Sequence, residues 1–258
     1  MLDKDKLKAL AGEYGCDIRV LPETGSTNDD LKRLAADGAP AGTVVVTDKQ
    51  TAGKGRLGRS FFSPESGVYL SLLLRPGDDA VKALGCTTAA AVAVCRAVER
   101  VCGRKAEIKC VNDVYVDGRK VCGILTEGSV SGGRLEWAVV GIGTNLTPPV
   151  GGFPEEIADR AGALFETGHA PEDISERYAA ELIRQLCGCL SLDGTVSADV
   201  MEDYRRRSFI VGRDIVAITH DGEKPCRAVS ITDDAELIVE YPDGSRETLY
   251  SGEVSVRI

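Results

Sequence analysis

The sequence predicts a mixed α and β domain followed by a small C-terminal β-barrel. Three observations predict it. Up to residue 208, apolar runs with strand character are interspersed with longer segments of helical spacing. From about Phe209 the runs shorten and are separated by the turn pairs Asp221-Gly222, Asp233-Asp234 and Asp243-Gly244, the pattern of a small barrel. At 258 residues and 43% hydrophobic, the chain can build one large core with a satellite. The expected boundaries are 1–208 and 209–258. The second segment is near the lower size limit for an independent fold, so it should dock on the first.

Residues 3–11 have helical spacing, with Leu2, Leu7 and Leu10 as a thin apolar stripe. Cys16 to Leu21 reads as a strand. Ser26 or Thr27 is a natural N-cap, with Asp29 and Asp30 in the first turn of a helix that runs to about Ala36 and stops at Gly38. Capping alone would explain Ser26-Thr27-Asn28. Thr43 to Thr47 is a valine-rich strand that leads through Lys49-Gln50-Thr51-Ala52 into Gly53-Lys54-Gly55-Arg56-Leu57-Gly58-Arg59. Val68 to Leu74 reads as a buried strand, followed by the turn Arg75-Pro76-Gly77-Asp78. Thr87 to Val101 is rich in alanine and valine and too long for a strand. It reads as a buried helix with Arg96, Glu99 and Arg100 on its wet side. Asp117-Gly118 is a hairpin signal between two apolar strands. Lys109, Asn112 and Asp113 then lie at or near the start of the first strand and Lys120 lies on the second. Taken singly, Asn112-Asp113 could be a turn and Lys120 a solvated hairpin residue. Trp137 to Leu146 is a strand carrying Gly141 and Gly143. Helices are expected at about 172–190 and 197–206, the second ending in the basic run Tyr204-Arg205-Arg206-Arg207, read as a solvated helix end. The last strand is Glu253 to Ile258.

Composition narrows the chemistry. A formal net charge of -9 and a pI near 4.9 argue against general nucleic-acid binding. Nine cysteines lack framework spacing and, with no signal peptide, read as reduced thiols of a cytosolic protein. No apolar run approaches the roughly 20 residues of a membrane span. Two histidines, His169 and His220, stand in polar surroundings, which disfavours histidine acid–base catalysis and zinc sites.

Against that acidic background, the loop at 53–59 holds three glycines and three cations and no acid. Glycine lets backbone approach a ligand closely, so the loop suggests an anion site, most simply for phosphate. The spelling fits G-x-G-x-x-G and nearly fits a P-loop, but both need a helix directly afterwards. Here Pro64 and Gly67 precede a strand instead. A kinase glycine loop is excluded because the chain has no H-R-D or D-F-G. A mobile surface loop with solvated charges is the plain alternative.

Taken together and in order, Ser26-Thr27-Asn28, Gln50 with the glycine loop, Asn112-Asp113 with Arg119-Lys120-Val121-Cys122-Gly123-Ile124-Leu125, and Gly141-Ile142-Gly143-Thr144-Asn145-Leu146 resemble the biotin–protein ligases. The resemblance covers nearly the whole chain. It implies an α+β fold with a mixed, largely antiparallel sheet flanked by helices and an SH3-like C-terminal barrel. It implies activation of biotin by ATP to biotinyl-5′-adenylate, with release of pyrophosphate, and transfer of biotin to a lysine of a carrier domain of a biotin-dependent carboxylase. Cytoplasmic location is expected. The segment before the first strand is too short for a helix-turn-helix, so the monofunctional type without a DNA partner is expected. A homodimer is left open.

Carried over residue by residue, the resemblance has Ser26, Thr27, Asn28 and Gln50 lining the biotin pocket, with Gly123 and Gly141 as walls. Lys54, Gly55 and Arg56 would hold carboxylate and phosphate, and Lys120 would bridge the two. Arg56 and Lys120 are the expected catalytic electrostatic groups. Arg56, Arg59, Phe61, Asn112, Lys120 and Asn145 would address ATP, and Asp113 would meet Mg²⁺. Three departures stand out: Cys110-Val111 replaces a Trp-Pro, Phe61 replaces a common tryptophan, and Lys54 replaces an arginine and so loses its bidentate fork. A lipoate–protein ligase and a non-catalytic biotin-sensing module are the alternatives.

Overall fold

The structure is a computed structural model and describes residues 2–12, 14, 16–77, 82–131, 134–219, 222–249 and 255–257. Asp78 of the expected turn, His220, Asp221, and Glu253, Val254 and Ile258 of the last expected strand lie outside those residues.

The elements follow in the order α1 Lys4–Ala11, β1 Asp17–Val20, α2 Thr27–Ala36, β2 Thr43–Thr47, β3 Gly67–Leu74, α3 Lys82–Cys102, β4 Glu107–Lys109, β5 Asp113–Val116, β6 Arg119–Ser131 and β7 Arg134–Asn145. Then come α4 Glu155–Ala158, α5 Ile174–Cys189, α6 Val200–Arg207, β8 Asp214–Thr219, β9 Gly222–Ile231, β10 Leu237–Glu240, β11 Arg246–Leu249 and β12 Ser255–Arg257. Strands β1 to β7 make one sheet in the order β1-β2-β3-β7-β6-β5-β4. Only β1 and β2 run parallel, while the other neighbours are antiparallel. The mixed, largely antiparallel sheet flanked by helices is therefore the fold. The remaining strands form a five-stranded antiparallel sheet in the order β11-β10-β9-β8-β12.

The alternation of β3 explains why its apolar run is unbroken. Leu70, Leu72 and Leu74 face the main core with the alanine- and valine-rich α3 and with α5, whereas Leu73 joins Val45 and Val139 under Leu31 and Ala35 of α2. A strand covered on both faces needs no polar side. The inner residues of the C-terminal sheet, among them Ile215, Ala217, Ala228 and Val239, join the main apolar cluster, so the second segment is docked. Arg205 reinforces the junction by donating to the Ile231 carbonyl at 2.9 Å. Among the described residues, no helix is long and apolar enough to cross a membrane.

Four local expectations change. The stretch at 107–116 is two strands rather than one, reversing at Cys110–Asn112 so that Lys109 pairs with Asp113. Asn112 stabilises that reversal from both ends, its side-chain Nδ2 donating to the Ile124 carbonyl at 2.7 Å and its own carbonyl accepting from Ile124 N at 2.9 Å. The basic run is only partly a solvated helix end: Arg206 is exposed, but Arg207 is largely covered and bonded to Glu99 and Asp203, because α6 packs on α3. Arg96 likewise reaches Asp203 at 2.9 Å and Asp199 at 2.7 Å instead of standing free in water. Leu10 lies on the exposed side of α1, and Leu7 and Ala11 carry its buried face.

Candidate active site

The α2 side of the large sheet carries a smooth patch where three strands meet. Register places Ser71, Gly141 and Leu125 in one row across β3, β7 and β6. The next row on the same face is Tyr69, Gly143 and Gly123, continued by Asp113 on β5. The glycines leave room for groups laid flat on the backbone. A Cβ on Gly141 would stand 2.0 Å from Asn28 Oδ1, and one on Gly143 would stand 2.6 Å from the Phe61 ring. These positions need glycine for close approach rather than for unusual dihedrals.

The start of α2 sits over this patch. Ser26 occupies the N-cap position but its side chain makes no capping bond, so capping does not account for it. Thr27 donates from its backbone N at 2.9 Å and from Oγ1 at 3.1 Å to Gln50 Oε1, and Gln50 Nε2 donates to Ser63 Oγ at 3.1 Å. Ser71 Oγ donates to Asn28 Oδ1 at 2.6 Å. Asn28 Nδ2 donates to Glu127 Oε2 at 2.8 Å. Ser26, Thr27 and Asn28 are all nearly fully buried, a cluster of polar groups that a plain helix start does not need. With Gln50, Phe61, Gly123 and Gly141 they line a small pocket.

The pocket opens past Phe61 into a wider cleft. The Phe61 ring meets Tyr69 edge-on, with centroids 6.5 Å apart, and Lys120 Nζ lies 5.8 Å from its centre. The glycine loop forms one wall of the cleft and contains a single 3₁₀ turn at Arg56–Gly58, with Leu57 at φ 56°. Lys54, Arg56, Arg59, Lys109, Lys120 and Arg160 all face the cleft. Several have internal partners. Lys54 is 2.7 Å from Asp29, Lys120 is 2.5 Å from Asp113, and Arg56 donates to Asn112 Oδ1 at 3.2 Å. Burial lowers the pKa of Arg56, with Asp113 working the other way. Burial also lowers that of Lys109, helped by its cationic neighbours Lys120 and Arg160 and opposed by Asp113. A half-buried cluster of like charges gains by meeting an anion. Asn145 lies at the far wall, its Nδ2 donating to the Gly162 carbonyl at 2.9 Å.

Every expected site residue therefore borders this pocket or the cleft it opens into. Ser26, Thr27, Asn28 and Gly141 sit at the inner end. Gly55, Arg56, Arg59, Asn112, Asp113, Lys120 and Asn145 sit at the outer end. Gln50, Lys54, Phe61 and Gly123 border both. Residues outside that expectation also enter the neighbourhood: Ser71, Glu127, Lys109 and Arg160. The one polar residue in the apolar run Val68–Leu74 was the available signal for Ser71. No local signal marks Arg160, which reaches the cleft through the chain after β7. Among the described residues no cluster of three or more His, Cys, Asp or Glu could hold a metal ion. Asp113 and Glu156 are the carboxylates that line the cleft, too few to cage a metal by themselves and compatible with a magnesium ion brought in on phosphates.

Comparison with known proteins identifies the group. The sequence profile of the biotin/lipoate A/B protein ligase family matches residues 20–145, and that of the biotin protein ligase C-terminal domain matches residues 210–257. A biotin–[acetyl-CoA-carboxylase] ligase of Paracoccus denitrificans is 33% identical over 91% of this chain and 98% of its own length. The bifunctional ligase/repressor BirA of Bacillus subtilis is 33% identical over 90% of this chain and 71% of its own length. Among solved structures, the biotin protein ligase from Aquifex aeolicus in complex with biotin and ATP superposes with a TM-score of 0.73 at 28% identity, covering 93% of this chain and 98% of that one. With the sheet, the glycine patch and the cationic cleft all in place, the chain belongs to the biotin–protein ligase family.

Proposed function

We propose that this chain activates biotin with ATP to biotinyl-5′-adenylate and then passes the biotinyl group to a lysine of a biotin carboxyl carrier domain. The observation that carries the reading is the convergence of Lys54, Arg56, Lys109 and Lys120 on one cleft whose inner end is a buried polar pocket. A carboxylate and a triphosphate repel each other, and fixed cations offset that repulsion at the point of bond formation.

In the first step a biotin carboxylate oxygen attacks the α-phosphorus of ATP, the bond to the bridging oxygen breaks, and pyrophosphate leaves. In the second, the carrier lysine amine attacks the acyl carbon, AMP leaves with the bonding electrons, and the surplus proton of the amine goes to solvent. Neither step needs a histidine, which agrees with the two found in the sequence. Ser26, Thr27, Asn28 and Gln50 are assigned to the ureido end of biotin, where buried polar atoms must be matched. Gly123 and Gly141 let the ring system lie against the sheet. Lys54, Gly55 and Arg56 take the carboxylate and α-phosphate, and Lys120 bridges them. Arg59, Phe61, Asn112 and Asn145 take the nucleotide. Asp113, now paired with Lys120, would be the residue to hold magnesium carried on the nucleotide. Magnesium, when bound, neutralises phosphate charge during the displacement.

ATP–pyrophosphate exchange tests the reading. Exchange should depend on biotin and not on lipoate, and labelled biotin should then appear on a carrier domain. Exchange driven by lipoate would make this the other ligase. Tight biotin binding without any exchange would make it a sensor.

A further inference from the structure

Resting on the biotin reading, we infer that Glu127 is a positioning residue of the pocket that fixes which face of the Asn28 amide meets the ligand. Glu127 does not itself line the pocket. It stands on β6 opposite Val139, one row beyond Leu125 and Gly141 on the same face, under α2. Its Oε2 accepts from Asn28 Nδ2 at 2.8 Å, and the Leu125 carbonyl is a second acceptor for that nitrogen at 3.3 Å. On the other side, Asn28 Oδ1 accepts from Ser71 at 2.6 Å.

An asparagine amide can turn over with almost no change of shape, exchanging a donor for an acceptor. Here the turned form would set Oδ1 against a carboxylate and a carbonyl, with no proton between them. Both hydrogens of Nδ2 are committed to Glu127 and Leu125. Oδ1 keeps one lone pair beyond the bond from Ser71. The group that Asn28 offers is therefore an acceptor, suited to an N–H of a ureido ligand and unsuited to a carbonyl.

Glu127 is itself held in place by a cation. Lys32 lies 2.8 Å from its other oxygen, Oε1, and 2.9 Å from Asp29. Burial lowers the pKa of Lys32, but Glu127 and Asp29 more than offset this and raise it, so the lysine stays protonated. Asp29 continues to Lys54 of the glycine loop at 2.7 Å. An unbroken line of charge pairs thus joins the anion loop to the residue that orients the ureido contact.

Steady-state pyrophosphate exchange and biotin titration calorimetry on wild type, Glu127→Ala, Glu127→Gln, Asn28→Ala and the Glu127→Ala/Asn28→Ala double variant provide the test. Loss of a charged partner to a buried amide predicts a biotin KM and Kd raised about 10- to 100-fold in Glu127→Ala. The KM for ATP and kcat at saturating biotin should barely move. Glu127→Gln, which keeps an acceptor, should fall between the two. In the Asn28→Ala background the Glu127 change should add less than about twofold, because its direct contact with the ureido-binding amide is gone. An unmoved biotin KM, full additivity in the double variant, or a parallel loss of ATP affinity would overturn the role of Glu127 alone. Absence of biotin-dependent exchange in the wild type would instead sink the proposed function and this inference with it.

Discussion

Replacing Gly141 by alanine should empty the pocket of its Asn28 contact without unfolding the sheet. The residue lies in a regular part of β7, paired on both sides, and the backbone there accepts an L side chain. The added methyl would stand 2.0 Å from Asn28 Oδ1, 2.7 Å from its Cγ and 2.9 Å from its Nδ2. Ordinary contact needs about 3.5 Å, so Asn28 must retreat by more than about 1 Å. A retreat of that size breaks or lengthens its bonds to Ser71 and Glu127, now 2.6 and 2.8 Å. Each buried group left unpaired costs about 1–3 kcal/mol, and a loss of that size from the biotin complex is roughly 5- to 150-fold in affinity. Isothermal titration with biotin reads the effect directly. Gly188→Ala, where an added Cβ meets nothing within 4 Å, is the control and should bind as wild type does. Biotin affinity of Gly141→Ala within about twofold of wild type would refute the steric reasoning.

Further outcomes follow from the same geometry. Asp203 is buried and holds Arg96, Arg206 and Arg207. Asp203→Ala should therefore destabilise the fold by about 3–5 kcal/mol in urea unfolding, and a change within experimental error would show the network to be idle. Burial raises the Asp203 pKa, but its arginines more than offset that and lower it overall. Its stabilisation is then present above the unfolded carboxylate value of about 3.9 and lost as pH falls through the folded one, so the wild-type advantage should shrink on acidification and not on alkalinisation. Under native conditions iodoacetamide should label half-exposed Cys16 first, because a hydrogen bond with Cys187 at 3.8 Å lowers its pKa. Burial pushes Cys122 up to about 12, and equal labelling of the two thiols would contradict this. Tryptic cleavage after Arg56 or Arg59 should slow several-fold when biotin and ATP are both present, since the loop then has anions to close on. Unchanged cleavage would leave the loop without that role.

Much of the site was legible because its chemistry is local in sequence. A glycine loop with three cations, a Ser-Thr-Asn helix start and a lysine just beyond a hairpin turn are each short signals, and their order was more specific than any one of them. The register that lays Ser71, Gly141 and Leu125 side by side was not legible, because it depends on β3, β7 and β6 being neighbours. For the same reason nothing in the sequence singled out Glu127. Arg207 was misread because charge in a helix's last turn is usually solvated, and only the packing of α6 on α3 shows that Glu99 and Asp203 enclose it. The reversal at Cys110–Asn112 showed in the sequence only as the turn alternative for Asn112-Asp113, because the bond from Asn112 to Ile124 that holds it depends on β6 lying alongside.

Biotin-dependent pyrophosphate exchange in Lys120→Ala, measured at saturating biotin and ATP, addresses most directly whether fixed cations bring the two acids together. Loss of one preformed electrostatic donor predicts a rate lower by roughly 10²–10³-fold with the fold intact. Exchange within about threefold of wild type would contradict the assignment of Lys120 to the reacting anions.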